Sequence, residues 1–227
     1  MKREIITTGD GSKTIQILDW QEQYHSKHGA IQEAYHVFIH SGLDLFKNQD
    51  LHILEIGFGT GLNAFITLME SERRNLKINY TGVEAFPVSV DELNQLNYIE
   101  ELDSVSRKKD FDLMHSSQWQ EDIEISSEFI LRKEQKDFKD IDILETVNLI
   151  YFDAFGARVQ PELWTVEIFE IMHRAMKPGG YLVTYAAKGS VRRAMLEVGF
   201  LVERLPGPPG KREMLRARKK IVKGLLL

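Results

Sequence analysis

LHILEIGFGTGLNAFITLME, residues 51–70, reads as a strand, a bare turn and a helix. A short apolar run closes on Glu55 and Ile56. Three glycines follow at alternate positions, Gly57, Gly59 and Gly61, with Phe58 between the first two, and helix-forming residues take over. Glycine admits positive φ and carries no Cβ, so such a turn lets a ligand approach the backbone closely. The helix N-terminus behind it offers unpaired N–H groups. The spacing is G-x-G-x-G, not the G-x-G-x-x-G of pyrophosphate binders. The acid before the turn, Glu55, repels a phosphate and suits a cation. S-adenosylmethionine, with its sulfonium and α-amino groups and no phosphate, is a ligand of that kind. The next strand, KINYTGVEAF, ends in Glu84, where an acid can accept both hydrogen bonds of a ribose diol. A merely tight strand-to-helix turn, or another nucleotide, is the competing reading.

Working outward, the chain alternates strand and helix. EFILRKEQ is a third strand and VNLIYFDAF a fourth, so continuously apolar that both faces must be covered. PELWTVEIFEIMHRAM is a helix with proline at its start and KPGG as its stop. YLVTYAA is a fifth strand, SVRRAMLEVG a helix, and FLVERL and REMLRAR a terminal hairpin around PGPPG. Ser89 is placed to cap the helix SVDELNQLNYI. This order predicts an α/β fold with a mostly parallel, doubly wound sheet and one antiparallel strand. Residues 1–50 read as an extension: two short strands around Gly9-Asp10-Gly11, then a helix near Gln32–Phe46 with Tyr35, Phe38, Ile39 and Leu45 on one face. Residues 51–227 read as the main domain. Residues 101–127, polar and weakly periodic, read as an insertion over a site.

YFDAF ends the fourth strand in Asp153. In an open α/β sheet, ligands lie beyond the carboxyl ends of the strands, so Asp153 should share a crevice with the glycine turn. Methyl transfer needs a nucleophile with a free lone pair, and a carboxylate there can take the proton from an amine and orient its nitrogen. A capping or turn aspartate is the plain alternative. Phe155 is expected on a pocket wall, Phe152 and Trp164 in the core.

The composition, 43% hydrophobic and 28% charged, is that of a globular chain. No apolar run approaches the roughly 20 residues that span a bilayer, and the charged N-terminus has no signal-peptide core. The cytoplasm is the expected location. With no cysteine there is no disulfide, thiolate metal site or Cys nucleophile. His25, His28 and His36 lack a third ligand of matching spacing, and no metal is expected. The net charge of −5 excludes a globally basic nucleic-acid binder. Yet Arg204, Lys211, Arg212, Arg216, Arg218, Lys219, Lys220 and Lys223 face only one acid, Glu213, in the same stretch, and Arg192 and Arg193 add to them. Such a patch can bind phosphates by counterion release, or it can be a lysine-protected edge strand.

The stretches LEIGFGTGLN, YFDAF…QPELW, MKPGGYLVTYAAKGSVRRAMLEVGF and GKREMLRA resemble the methyltransferase of the bacterial tRNA wobble-uridine pathway, a domain that forms one half of the bifunctional MnmC enzyme. HSKHGAIQEAYHVFI resembles the N-terminal pattern of the same family, so the likeness runs from about Tyr24 to Arg218. The resemblance implies a seven-stranded class I methyltransferase core that methylates the aminomethyl nitrogen on uridine 34 of tRNA, at the anticodon stem-loop. Its implied cofactor residues are Gly57, Gly59, Gly61, Phe58, Glu55 near the methionine part, Glu84 on the ribose, Asp137 near the adenine, and Tyr24 and Ser26 reaching over the pocket. Asp153 takes the place of the base. Phe155, Arg192, Arg193, Lys211 and Arg212 fall to the substrate. Where the family reads D-x-F-A-P, this chain has Gly156-Ala157 after Phe155, which implies a looser loop. No segment fits the flavin-dependent oxidoreductase half, so a stand-alone methyltransferase is expected. The rival expectation is an enzyme of the same fold acting on a small amine, such as a polyamine-forming synthase.

Overall fold

Strand β4 (Gln49–Ile56) is the centre of the molecule, and its side chains alternate between two cores. Leu51 and Ile53 join one apolar cluster, and Leu54 and Ile56 the other. A strand covered on both faces needs this unbroken hydrophobic run. The computed structural model describes residues 2–221.

Around β4 the sheet adds β5 (Leu76–Glu84), β7 (Phe129–Gln135), β8 (Val147–Phe152) and β9 (Met176–Thr184), all parallel. Strand β11 (Glu213–Arg218) is inserted antiparallel between β9 and β10 (Leu201–Pro206). An edge strand, β6 (Asp122–Ser126), pairs antiparallel with β7. The order is β10-β11-β9-β8-β4-β5-β7-β6. The sheet is therefore mostly parallel, as expected, but among the described residues it has eight strands, not seven, and two antiparallel members. The eighth comes from the weakly periodic stretch 101–127, which forms α5 (Lys108–Ser116) and β6 at the sheet edge. It does not roof a site. Its solvent-facing polar positions masked the strand.

Helix α2 (Leu62–Arg74) follows the glycine turn and is buried through most of its length, on the same side as α1 (Ala30–Ala34). The α1 coil continues as a wider turn through Tyr35–His40 and stops there, before the expected Phe46, which leaves Leu45 40% exposed. Helices α6 (Val166–Ala175) and α7 (Gly189–Val198) cover the opposite face. Two further boundaries differ from expectation. Pro161–Trp164 forms a separate 3-10 turn before α6, and KPGG opens β9 instead of preceding it. Ser89 does cap a helix, with Glu92 completing a capping box, but the helix breaks into α3 (Val90–Leu93) and α4 (Tyr98–Glu101). Phe152 and Trp164 lie in the second core.

Residues 3–23 form their own antiparallel sheet, β1 (Arg3–Thr7), β2 (Lys13–Ile17) and β3 (Glu22–Gln23). Lys13 N–H donates to Asn97 at 2.8 Å and the Asn97 amide returns a bond to Gly11 O, tying this sheet to the segment after β5. Among the described residues no helix is long and apolar enough to cross a membrane.

Candidate active site

A cavity of about 630 Å³ opens at the carboxyl ends of β4, β5 and β8, between the glycine turn and residues 17–33. The turn makes its floor. Gly57 has φ +90°, and a Cβ on it would lie 2.8 Å from the Asp153 carbonyl oxygen. Only glycine permits both this backbone and this approach. The β4–β8 register brings the two together: Ile56 faces Phe152, and Asp153 N–H donates to Ile56 O at 2.9 Å.

The sequence-predicted residues divide sharply. Gly57, Phe58, Gly59, Glu84, Asp137, Asp153, Tyr24, Ser26, Phe155 and Lys211 all line the cavity. Glu55 does not. It is 0% exposed, and its carboxylate accepts from Tyr80 Oη and Asn63 Nδ2, both at 2.8 Å. Strand alternation turns it under the floor, so the direct cation contact expected of it is replaced by support from behind. Gly61 also faces away, with its missing Cβ directed at the His115 ring. Arg192, Arg193 and Arg212 are outside the cavity, on α7 and the β10–β11 loop. Of the wider basic cluster, Arg216 is taken up by Glu203, Lys219 by Glu145 and Arg204 by Glu213. Lys223 lies outside the described residues.

Glu84 keeps its place at the end of β5. Its two oxygens accept from the N–H groups of Gly59 (3.1 Å) and Phe86 (2.9 Å), which locks a carboxylate at the cavity wall with lone pairs to spare. Asp137 caps a turn through Lys139 N–H at 2.9 Å and stands at the same end of the cavity. Phe155 is held edge-on between Trp20 and Tyr24, with ring centres 5.5 and 5.0 Å away. The loop carrying it is not loose. Tyr185 Oη donates to Ala154 O and Trp164 Nε1 to Phe155 O, both at 2.8 Å. These carbonyl anchors replace the rigidity that Gly156 gives up.

Asn63, Glu33 and Tyr185 also line the cavity and were missed. Asn63 Nδ2 donates to Asp153 Oδ2 at 2.9 Å as well as to Glu55, while its Oδ1 is buried without a partner. Burial pushes the Asp153 carboxyl well above its usual range. Glu33 pushes the same way, against the Asn63 bond and Lys211. Burial likewise raises Glu55, with Asp153 adding to the effect. A site that withholds water from a carboxylate makes it a stronger base.

His25 is buried against Thr14 and Thr60, His36 bonds Pro206 O, and burial lowers His25 to about 4. Among the described residues no group of three or more His, Asp or Glu side chains is placed to hold a metal ion.

Residues 106–220, which include Asp153 and Lys211, match a family described as S-adenosyl-L-methionine-dependent methyltransferase. The chain belongs to this family. It is 28% identical over 96% of its length to the tRNA 5-methylaminomethyl-2-thiouridine biosynthesis bifunctional protein MnmC of Hydrogenovibrio crunogenus, and 30% identical over 85% to the protein of that name from Leptospira interrogans serovar copenhageni. It spans about a third of the length of these relatives, 34% and 32%. The crystal structure of MnmC2 from Aquifex aeolicus superposes with a TM-score of 0.78 at 26% identity, over 97% of this chain and 71% of that one. Spermidine synthase from Thermotoga maritima shares the fold, with a TM-score of 0.56 at 12% identity.

The cavity fits the family's cofactor, S-adenosylmethionine. The side-chain-free floor at Gly57 and Gly59 admits close contact, Glu84 offers acceptors, and the unpartnered Asn63 Oδ1 awaits a donor. The enzyme is a SAM-dependent methyltransferase.

Proposed function

We propose that this methyltransferase acts on tRNA, methylating the 5-aminomethyl nitrogen of wobble uridine 34 to give 5-methylaminomethyl(-2-thio)uridine. The observation that carries the reading is Asp153: a half-buried carboxylate, pushed by desolvation well above its ordinary range, at the head of a cavity floored by the glycine turn. The MnmC relatives, whose name specifies that nucleoside, support the substrate. Residues 1–50 are read as an extension that roofs the 51–227 domain, and the cytoplasm, where tRNA is modified, as the location.

Adenosylmethionine, when bound, supplies a methyl group on a sulfonium, which leaves with its bonding electrons held by sulfur. Gly57, Phe58 and Gly59 would hold its methionine part, Glu84 the ribose and Asp137 the adenine. Asp153 takes one proton from the amine, so that the nitrogen presents its lone pair to the methyl group and the methylated product leaves as its ammonium form, and the Asn63 bond fixes which carboxylate oxygen is turned away from the substrate. Phe155, between Trp20 and Tyr24, offers an aromatic edge to a base lifted out of its stack. Exposed Arg193 and Arg212, with Arg192, are assigned to the RNA backbone.

The reading is tested with purified protein, adenosylmethionine and tRNA bearing aminomethyluridine. Mass spectrometry should show one added methyl at position 34. Alkylation of a free polyamine instead, with the tRNA unchanged, would replace this reading with the small-amine one.

A further inference from the structure

The chamber around Asp153 contains charges that the glycine turn does not account for. Glu33 of α1 is 6% exposed, and Lys211 Nζ lies 2.6 Å from its Oε2. The same ammonium sits 3.8 Å from the centre of the Tyr185 ring. Tyr185 Oη in turn donates to Ala154 O, one residue from Asp153. Glu33, Lys211, Tyr185 and Asp153 all wall the one cavity.

The arrangement is fixed from both ends. Glu33 Oε1 accepts from Ser26 N–H at 2.9 Å. The β10–β11 loop bearing Lys211 is pressed on the N-terminal segment at Gly210, where φ is +84° and a Cβ would lie 2.1 Å from His28 Cδ2. Neither charge sits where chance left it exposed. With Asp153 ionised, Asp153, Glu33 and Lys211 together carry one negative charge in excess, and a single entering cation balances it.

We propose that Glu33 is a positioning residue for methyl transfer: gripped by Lys211, its carboxylate supplies a second negative charge in the Asp153 chamber, and the two acids together draw a protonated amine to the reacting position. This rests on the amine-methylation reading above. The amine arrives charged, gives its proton to Asp153, and then presents its lone pair.

The proton affinity of Asp153 follows the same geometry. Glu33 raises it and Lys211 lowers it, in addition to the larger effect of burial. The other titratable groups near Asp153 are Glu55, reached through Asn63, Tyr80 behind Glu55, and Tyr185. Glu55 and Tyr80 make no contact with either substituted side chain, and Tyr185, which does feel Glu33 and carries the Lys211 ammonium on its ring, has its hydroxyl raised well above the usual range by burial and so stays neutral in either variant.

The test compares Glu33→Gln, Lys211→Met and Lys211→Arg. In Glu33→Gln the acid limb of the kcat/KM profile moves to lower pH, and KM for the aminomethyl substrate rises roughly tenfold, the size of one charge-assisted contact, with kcat changing far less. In Lys211→Met the acid limb moves to higher pH, and Lys211→Arg restores it. A purely structural clasp would lower the melting temperature and leave every limb where it was. Limbs that stay fixed, or that move the same way in Glu33→Gln and Lys211→Met, overturn the proposal. Wild-type turnover on the modified tRNA judges the amine reading separately. If that turnover is absent, carbon-13 NMR titration of the Asp153 carboxyl, assigned with Asp153→Asn in adenosylhomocysteine-loaded protein, reads the same opposed displacements without it.

Discussion

Asn63 Nδ2 lies 2.9 Å from Asp153 Oδ2, and the same nitrogen lies 2.8 Å from Glu55 Oε1. One amide thus serves a buried and a half-buried carboxylate from the second residue of α2. The fold places it there because α2 springs from the glycine turn directly under the β4–β8 strand ends. Replacing Asn63 by Ala leaves both acids short of a donor. An unsatisfied buried charged group costs about 1–3 kcal/mol or more, so Asn63→Ala should unfold at lower urea concentration, and its turnover should fall because Asp153 is no longer oriented. Full stability and full turnover together would remove Asn63 from the arrangement.

Glu55 and Asp153 give the protein a defined pH dependence. Both carboxyls are raised above their ordinary values of 4.5 and 3.8 in the folded state, first by burial. Between those values and the higher folded ones the native state holds more protons than the unfolded chain. Stability therefore falls as pH rises from about 4 toward neutrality, with respect to these two groups. Glu55→Gln keeps an acceptor for Asn63 and a partner for Tyr80 without the charge. Its unfolding free energy, measured by urea titration from pH 5 to 8, should decline less steeply than that of the wild type. An unchanged slope would mean that Glu55 ionises in the folded state as it does in the unfolded chain.

Asp153→Asn separates binding from chemistry. The amide retains the shape of the carboxylate beside Asn63, so calorimetry should find adenosylhomocysteine affinity within roughly tenfold of wild type, whereas loss of a general base lowers turnover by about 10²–10⁴-fold. Comparable losses in both quantities would make Asp153 a cofactor ligand instead of a base.

The legible and illegible parts of this molecule differ in sequence range. The turn at Gly57–Gly61 and the acids Glu84 and Asp153 were readable because strand, turn and helix signals are local, and because ligands collect at strand ends. The outward placing of Glu55 failed, since the turn's composition does not reveal on which side of the floor its preceding side chain lies. Asn63 stands inside the opening stretch, yet its meaning depends on a partner 90 residues away. Glu33 and Lys211 are separated by 178 residues and meet only because α1 and the β10–β11 loop converge over the cavity. Strand β6 was hidden for another reason. At a sheet edge only one face is buried, so its alternating DIEIS lacks the apolar run that marks β4 and β8.

Gly57 offers a stringent check on the cavity floor. An alanine Cβ there would have to displace the Asp153 carbonyl, now 2.8 Å away, at a backbone φ of +90°. Strain of this kind costs about 1–3 kcal/mol, and the displaced group is the one that bears the base. Gly57→Ala should therefore lose both stability and adenosylhomocysteine binding, as read by thermal shift with and without the ligand. A variant that keeps its ligand-induced shift would show that the floor does not contact the cofactor.

The basic C-terminal region divides into engaged and exposed cations, and salt dependence can tell them apart. Arg216 bonds Glu203 through two nitrogens and also Ser41 O, so its charge is already answered within the fold. Arg193 and Arg212 are exposed and form no ion pair among the described residues. Each phosphate contact contributes close to one unit to the slope of log affinity against log salt. Arg193→Ala and Arg212→Ala should each weaken tRNA binding and flatten that slope by about one. Arg216→Ala should lower stability and leave the slope alone. Filter binding from low to moderate salt makes the comparison. If Arg216→Ala flattened the slope while the two exposed arginines did not, the RNA path would run along β11, where the Glu203 pair must open to admit it.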